Sequence, residues 1–481
     1  MIALTLAEIA DAIGGRLIPG RDGADGGTVV DGDAQTDSRE IAPGQIFFAR
    51  RGETTDGHRF AAQAVARGAR LLVVERELDD HEYRAEQETD DRVAQILVDD
   101  ATLALGRLAT EVVRRVHAGG GLTIVGITGS NGKTTTKNLI AAMAERAGRR
   151  TVASAKSFNN EVGGPLTMLR LRAETEILVA EMGASAEGEI ARLTAMAPPD
   201  IAVVLSVGLA HAGEFGGIEA TFRAKSEMVR DLPASATAVL NRDDPRVARM
   251  AELTRARVRW FGAHPEAEVR ADDVVADAEG TRFTLRIGGE AAAVRFPVLG
   301  EHHVSNALAA AAVGHELGLP LDAIAASLAA TELAGPGRMQ VLGGRDGVTI
   351  INDAYNASPD SMSAALKTLA MVARPDARSV AVLGAMSELG ELSGEAHDRI
   401  ALQIVRLGIS ELVVVGDEAR RLHISAINEG SWAGESVFFA DHDEAFDYLE
   451  RTLGAGDTVL VKSSNAAGLQ RLGDRLGEAF A

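Results

Sequence analysis

The chain has 481 residues, no cysteine and a formal net charge of -20. A length of this order corresponds to about three domains of roughly 150 residues, each able to bury its own core. The missing cysteine excludes disulfides, a thiolate nucleophile and cysteine-ligated metal, which fits a reducing compartment. The acidic balance argues against a general nucleic-acid surface but leaves room for small anions held by a few local cations.

The first residues set Glu8 and Asp11 among apolar side chains at helical spacing, so a helix is expected over residues 6–13. They carry neither a basic leading region nor a continuous apolar core, so no signal peptide is expected. No apolar run approaches the roughly 20 residues of a membrane span, and a soluble, cytoplasmic protein is the expectation. A Gly/Asp-rich turn region follows at residues 20–32, then strands at residues 45–48 and 71–74. The acidic stretch at residues 79–91 reads as a solvated helix or loop. These elements form a first segment ending near residue 98, and a helix over residues 102–116 leads into the second.

The second segment opens on an apolar run at residues 122–125, followed by Gly126-Ile127-Thr128-Gly129-Ser130-Asn131-Gly132-Lys133-Thr134-Thr135-Thr136 and a helical pattern over residues 137–147. Strand, glycine turn and helix in that order make a phosphate cradle. Small residues let backbone N–H groups converge on an anion, the helix N-terminus adds partial positive charge, and Lys133 reaches the outer phosphates. Thr134 or Thr135 would place a hydroxyl on Mg²⁺. The spacing departs from the usual phosphate loop, because Gly129 lies only three positions before Gly132. A nucleoside triphosphate is the expected ligand.

Apolar runs at residues 177–180 and 201–206 then alternate with helical patterns, which predicts a parallel sheet covered on both faces. Gly335-Pro336-Gly337 is the next break, after an Ala-rich helix at residues 305–317. Four further runs, at residues 348–351, 379–383, 412–415 and 459–461, predict a second open α/β sheet. There is no internal repeat and no low-complexity linker.

Phosphoryl transfer needs a divalent metal and therefore oxygen or imidazole ligands near the loop. Glu181 stands at the carboxyl end of an expected parallel strand, and His211 follows the next one; ligands of open α/β sheets gather at that edge. The ordinary alternatives are a helix cap at Glu181 and a plain loop histidine at 211. Lys225 lies on an expected helix and, on its residues alone, reads as a solvated surface charge. Asn159 and Asn160 open another helix; adjacent amides bind sugar or phosphate oxygens but are also common turn residues. Asp353 sits at a strand end, where it could accept from ribose hydroxyls. Arg338, just past the Gly-Pro-Gly break, could swing onto the triphosphate with domain movement. A nucleotide held between two α/β domains excludes water from an activated intermediate.

With these residues laid out, the whole chain resembles the Mur ligase family, ATP-dependent amide-forming enzymes of peptidoglycan precursor synthesis. The loop Thr128-Gly129-Ser130-Asn131-Gly132-Lys133-Thr134 matches that family's shortened glycine loop. Glu181-Met182-Gly183, His211, Ala224-Lys225, Asn306-Ala307-Leu308-Ala309-Ala310 and Gly337-Arg338-Met339 fall in family order. Asp37-Ser38-Arg39, residues 43–49 and Asp56-Gly57-His58-Arg59-Phe60 are similar to the UDP-binding N-terminal domain of its last two pathway members. Residues 353–359, Leu383-Gly384-Ala385-Met386-Ser387-Glu388-Leu389-Gly390 and Asn160-Glu161-Val162-Gly163-Gly164-Pro165 favour the branch that adds a dipeptide. The Asp-Asn-Pro-Arg run typical of diaminopimelate-adding members is missing. One departure stands out: His302-His303 occupies the start of the adenine-side helix, where the family usually has His-Asn, while Asn306 fits the adenine-contacting position.

The resemblance implies an α/β fold of three domains. A mixed α/β UDP-binding N-terminal domain would span residues 1–98, a central P-loop ATPase-like parallel-sheet domain residues 99–333, and a C-terminal Rossmann-like domain residues 334–481. It implies that a UDP-linked tripeptide carboxylate takes the γ-phosphate of ATP, and that the amine of D-alanyl-D-alanine then displaces phosphate. Gly129, Ser130, Asn131, Gly132, Lys133, Thr134, Thr135, Asn306, Arg338 and Asp353 would bind ATP. Ser38, Arg39, Asn159, Asn160 and Asn356 would bind the UDP-peptide, and Lys462-Ser463-Ser464-Asn465 is the expected reader of the dipeptide. Two Mg²⁺ ions are implied, one near Thr134 and Glu181, the other held by His211 and by Lys225 as a carbamate. Lys133, Lys225, His211 and Glu181 form the implied catalytic set. A monomer without nucleic-acid partners is expected. The competing readings are the third-residue-adding ligase, a folylpolyglutamate-type relative, and a non-catalytic nucleotide-dependent switch.

Overall fold

The computed structural model describes residues 1–20, 25–52, 54–79, 82, 93–154, 157–208, 217–277, 279–331, 337–429 and 432–481. His211, most of the acidic stretch at residues 79–91, part of the turn region at residues 20–32, and Gly335-Pro336 lie outside the described residues.

The first helix, Leu6–Ile13, begins at a capping box: the Glu8 N–H donates to Thr5 Oγ1, and the Glu8 carboxylate accepts from the Thr5 N–H at 2.8 Å. It ends at Gly14, whose φ of 69° releases the chain from the helix. Leu6, Ile9, Ala10 and Ile13 face inward, and the helix packs on Ala101–Ala118. The N-terminal sheet runs in the order Arg16–Ile18, Ala94–Leu97, Leu71–Val74, Ile46–Phe48, Ala34–Gln35, parallel except for the first pair.

The central sheet has nine strands. In spatial order they are Glu290–Phe296, Gly280–Ile287, Val269–Asp277, Arg257–Phe261, Thr237–Asn241, Ile201–Val204, Thr123–Thr128, Ile177–Glu181 and Thr151–Ala153. Alternate residues serve opposite faces: Val125, Ile127, Val179 and Val203 meet helices Lys133–Arg146 and His302–Glu316, while Ile124, Leu178 and Ala202 meet helices from the other side. The sheet is not parallel throughout, because its last two strands form an antiparallel extension. Gly288 and Gly289, with φ of 57° and 94°, make the two-residue hairpin turn that reverses the chain there.

The C-terminal sheet runs Gln340–Gly343, Thr349–Asn352, Thr458–Lys462, Ser379–Leu383, Glu411–Val415, Glu435–Phe439, parallel except for the first strand. The last strand in sequence, Thr458–Lys462, inserts between Thr349–Asn352 and Ser379–Leu383, pairing Val461 with Asn352 and Lys462 with Leu383. The chain reverses its winding at that point, and the loops leaving the carboxyl ends open a crevice. Among the described residues no helix is long and apolar enough to cross a membrane.

Candidate active site

The register of the central sheet sets Glu181 beside Ile127 and Val204 beside Thr128, so three strands end on one edge around the glycine loop. The loop is braced from the neighbouring strand end: the Ser130 N–H donates to the Ser206 carbonyl at 2.9 Å, and the Gly208 N–H to Ser130 Oγ at 2.8 Å. Gly132 has φ of 82°, and a Cβ there would lie 2.2 Å from Asn306 Oδ1. Only glycine satisfies both demands. Helix Lys133–Arg146 then starts with its free N–H groups toward the loop. Lys133 is half-buried and donates to the Gly129 carbonyl at 2.8 Å. Desolvation lowers its ammonium pKa, the Glu181 carboxylate opposes that shift, and Arg338 adds to it.

Glu181 is buried and does not cap the helix that follows. One of its oxygens accepts from Thr134 Oγ1 at 2.9 Å and the other from Asn159 Nδ2 at 2.8 Å. A threonine hydroxyl against a carboxylate is a hard oxygen pair, the donor set of a Mg²⁺ that keeps most of its waters. The pair therefore fits that ion. Among the described residues no group of three or more His, Asp or Glu is gathered for a metal. Asn160 turns its side-chain oxygen to the N–H groups of Val162 and Gly163, at 3.2 and 2.9 Å, and so opens helix Gly163–Met168.

The C-terminal unit already reaches the loop. Arg338 Nη2 donates to Thr134 Oγ1 at 3.3 Å and to Ser157 Oγ at 3.0 Å, and its guanidinium lies 3.8 Å over the Tyr355 ring. The Tyr355 hydroxyl donates to the same Ser157 Oγ at 3.0 Å, and Ser358 Oγ donates to Asn131 Oδ1 at 3.2 Å. Asp353 is held by Lys462 at 2.6 Å and by the Met339 N–H at 3.0 Å. Lys462 is buried and also donates to the carbonyls of Asp353 and Asn356. It is a strut of that turn and lines the cavity, Ser463 and Ser464 are buried behind it, and Asn465 is exposed. Asn356 is exposed on the cavity wall.

On helix His302–Glu316, Asn306 Oδ1 accepts from Thr136 Oγ1 and Asn306 Nδ2 faces His303 Nδ1 at 3.2 Å. Burial drives the His303 imidazole well below its usual range, so it is neutral. The amide can only donate to Nδ1, which puts the ring proton on Nε2. With the loop, Glu181 and Arg338, the side chains of His303 and Asn306 line one cavity of about 1170 Å³.

Two sets of expected residues stand apart from that cavity wall. Ser38 is buried in the N-terminal unit, donating to Gln63 at 2.6 Å, and Arg39 is exposed and paired with Asp37. Lys225, on helix Ile218–Arg230, is 1 % exposed, which overturns its reading as a solvated charge. Desolvation pushes its pKa down to about 7, with the Lys133 charge adding to the shift. Sequence reasoning missed Ser157, where hydroxyls from both units meet, and Lys137, which is buried and donates to the Ser154 carbonyl at 2.5 Å. Lys137 lies one helical turn beyond Lys133, a spacing that could have marked it as inward-facing.

Family models match along the chain: the Mur ligase family catalytic domain at residues 34–112, the Mur ligase middle domain at residues 127–314, and the Mur ligase glutamate ligase domain at residues 337–465. The chain is 44 % identical to the UDP-N-acetylmuramoyl-tripeptide–D-alanyl-D-alanine ligase of Mycobacterium tuberculosis strain H37Rv, over 99 % of this chain and 98 % of that one. Among solved structures, it superposes on MurF from Acinetobacter baumannii with a TM-score of 0.85 at 30 % identity, covering 99 % of each chain. It superposes on the MurF ligase of Thermotoga maritima in complex with ADP with a TM-score of 0.78 at 28 % identity, covering 94 % of this chain and 98 % of that one.

Proposed function

The chain belongs to the Mur ligase family, and on that premise we propose that it joins D-alanyl-D-alanine to UDP-N-acetylmuramoyl-tripeptide, with ATP as co-substrate, in peptidoglycan precursor synthesis. The observation that carries this reading is the 44 % identity, along 99 % of the chain, to a ligase of that name. The tripeptide carboxylate attacks the γ-phosphate of ATP, forming an acyl phosphate and ADP. The dipeptide amine then attacks the acyl carbon and phosphate leaves. A free carboxylate resists an amine because its leaving group is oxide; phosphorylation supplies a better one, provided water is kept out.

In this reading the backbone from Gly129 to Thr135 cradles the phosphates, and Lys133 balances charge on the transferring group. Arg338 approaches that group from the C-terminal unit, and its contacts with Thr134 and Ser157 support this role. Asn306 and His303 face the base, and Asp353 the ribose side. Ser38 and Arg39 take the uridine end, while Asn159, Asn160 and Asn356 take the peptide. Thr134 and Glu181 would hold one Mg²⁺, and His211 with a carbamate on Lys225 a second; the ions would supply positive charge against the phosphate oxygens. The three units would divide at about residues 98 and 333, and the enzyme would act as a cytoplasmic monomer.

The test is phosphate release with UDP-N-acetylmuramoyl-tripeptide, with and without D-alanyl-D-alanine. Release that requires both is expected. Release indifferent to the dipeptide, or driven by a single amino acid, would refute the assignment.

A further inference from the structure

The first turn of helix His302–Glu316 carries a hydrogen-bond donor with nothing to donate to. His303 is 9 % exposed and lines the same cavity as the glycine loop and Arg338. Its Nδ1 accepts from Asn306 Nδ2, which leaves the ring proton of the neutral imidazole on Nε2. Among the described residues that Nε2 has no hydrogen-bond partner. A buried N–H left unpaired is costly, and native interiors hold few of them. On the wall of a cavity such a group marks a contact that the ligand makes.

The Asn306 amide works inward. Its Oδ1 accepts from the Thr136 hydroxyl at 3.4 Å and packs against Gly132, where a Cβ would meet it at 2.2 Å. Its Nδ2 holds the His303 ring. Asn306 is therefore a positioning residue that fixes the orientation and tautomer of the imidazole, and the pair offers a nucleotide one N–H and no open acceptor. In the reading above, phosphate oxygens already have the loop N–H groups, Lys133 and Arg338. A purine brings ring nitrogens that only accept. Of these N3 is crowded by the ribose, while N7 stands clear of it and is common to 6-amino and 6-oxo purines.

We propose that His303 Nε2–H donates to N7 of the bound nucleotide, so that the site reads its base as a purine and not as adenine. The proposal rests on the nucleotide site of the ligase reading above, in which His303 faces the base. A side-chain amide in the same place would offer a donor for N7 and an acceptor for the 6-amino group together. The imidazole offers the donor alone, and Asn306 does not supply the missing acceptor. Adenine and hypoxanthine nucleotides then bind with similar strength, because both present N7.

Calorimetric titration of the full chain with ADP, IDP and 7-deaza-ADP tests this without either peptide substrate. In 7-deaza-ADP a C–H group replaces N7 and accepts nothing. It is expected to bind at least about fivefold more weakly than ADP, while IDP binds within about tenfold of ADP. In His303→Phe, which keeps a flat ring but no donor, ADP and 7-deaza-ADP are expected to bind within about twofold of each other. A smaller loss for 7-deaza-ADP in the wild type would overturn the proposal, and that comparison needs no variant to fold. So would a loss that persists in His303→Phe, the result of a merely structural histidine. IDP binding more than about tenfold below ADP would also overturn it, by showing that another acceptor on the wall reads the 6-amino group. Phosphate release with ATP, tripeptide and dipeptide is measured in parallel. If release fails while the three nucleotides bind as expected, the ligase reading falls and the base contact stands; a chain that binds none of them overturns both.

Discussion

A lysine amine reacts with CO₂ only in its neutral form, so the environment of Lys225 bears directly on its proposed conversion to a carbamate. Burial brings its pKa from 10.5 to about 7, so above that pH most of the side chain is the free amine. The sign for stability follows from linkage. Between about pH 7 and 10.5 the folded state binds fewer protons than the unfolded state, so the cost of burying the charge is full below 7 and fades as pH rises through that window. For activity, the proposal predicts a loss as pH falls through about 7. It also predicts that bicarbonate-depleted buffer lowers the rate and that added bicarbonate restores it. Lys225→Ala is expected to lose at least about 100-fold in kcat, the scale of removing one group that stabilises transition-state charge. A Lys225→Ala enzyme that retains full activity at low bicarbonate would rule the carbamate out.

The glycine loop shows how one element depends on another far away in sequence. Gly132→Ala would force a Cβ onto Asn306 Oδ1 and hold a left-handed φ without glycine, costing about 1–2 kcal/mol from the backbone alone. The expected result is a lower melting temperature together with at least about tenfold weaker ADP binding by calorimetry. A shift in melting temperature with ADP affinity unchanged would mean that the loop tolerates displacement of Asn306. That dependence was only half legible in the sequence. The strand–turn–helix order marked the loop, and the apolar spacing around Glu8 and Asp11 marked the first helix, because both are local signals. Strands Leu71–Val74 and Ser379–Leu383 read correctly as continuous apolar runs, being buried on both faces. Strands Arg257–Phe261 and Glu435–Phe439 carry mostly half-buried residues and offered no such run. Ser157 gave no signal at all, since a serine in a polar loop acquires its role only from Arg338 and Tyr355, which lie far along the chain. Lys225 looked solvated because burial of a lysine depends on what packs around its helix.

At the scale of the whole molecule, two polar contacts of the C-terminal unit converge on Ser157 Oγ, which meets Thr134 of the glycine loop, one from Arg338 and one from Tyr355. A hydrogen bond from a charged donor contributes about 1.5–3 kcal/mol and a neutral one about 1 kcal/mol. Removing both with Ser157→Ala therefore weakens the docked arrangement by roughly 2–4 kcal/mol, a factor of at least about 30 in the equilibrium between docked and separated units. Thr134 and Glu181 keep their own contact, so the phosphate side of the site remains built. Without nucleotide, the variant is therefore expected to show a larger radius of gyration by small-angle scattering than the wild type. ATP and tripeptide together should narrow the difference, because Arg338 then gains a phosphate partner in place of Ser157. Steady-state kinetics should register the same shift as a raised KM for ATP with a smaller change in kcat, since the lost free energy belongs to docking and not to the transferring group. A variant with wild-type dimensions and an unchanged KM for ATP would show that the two units are held together without this junction.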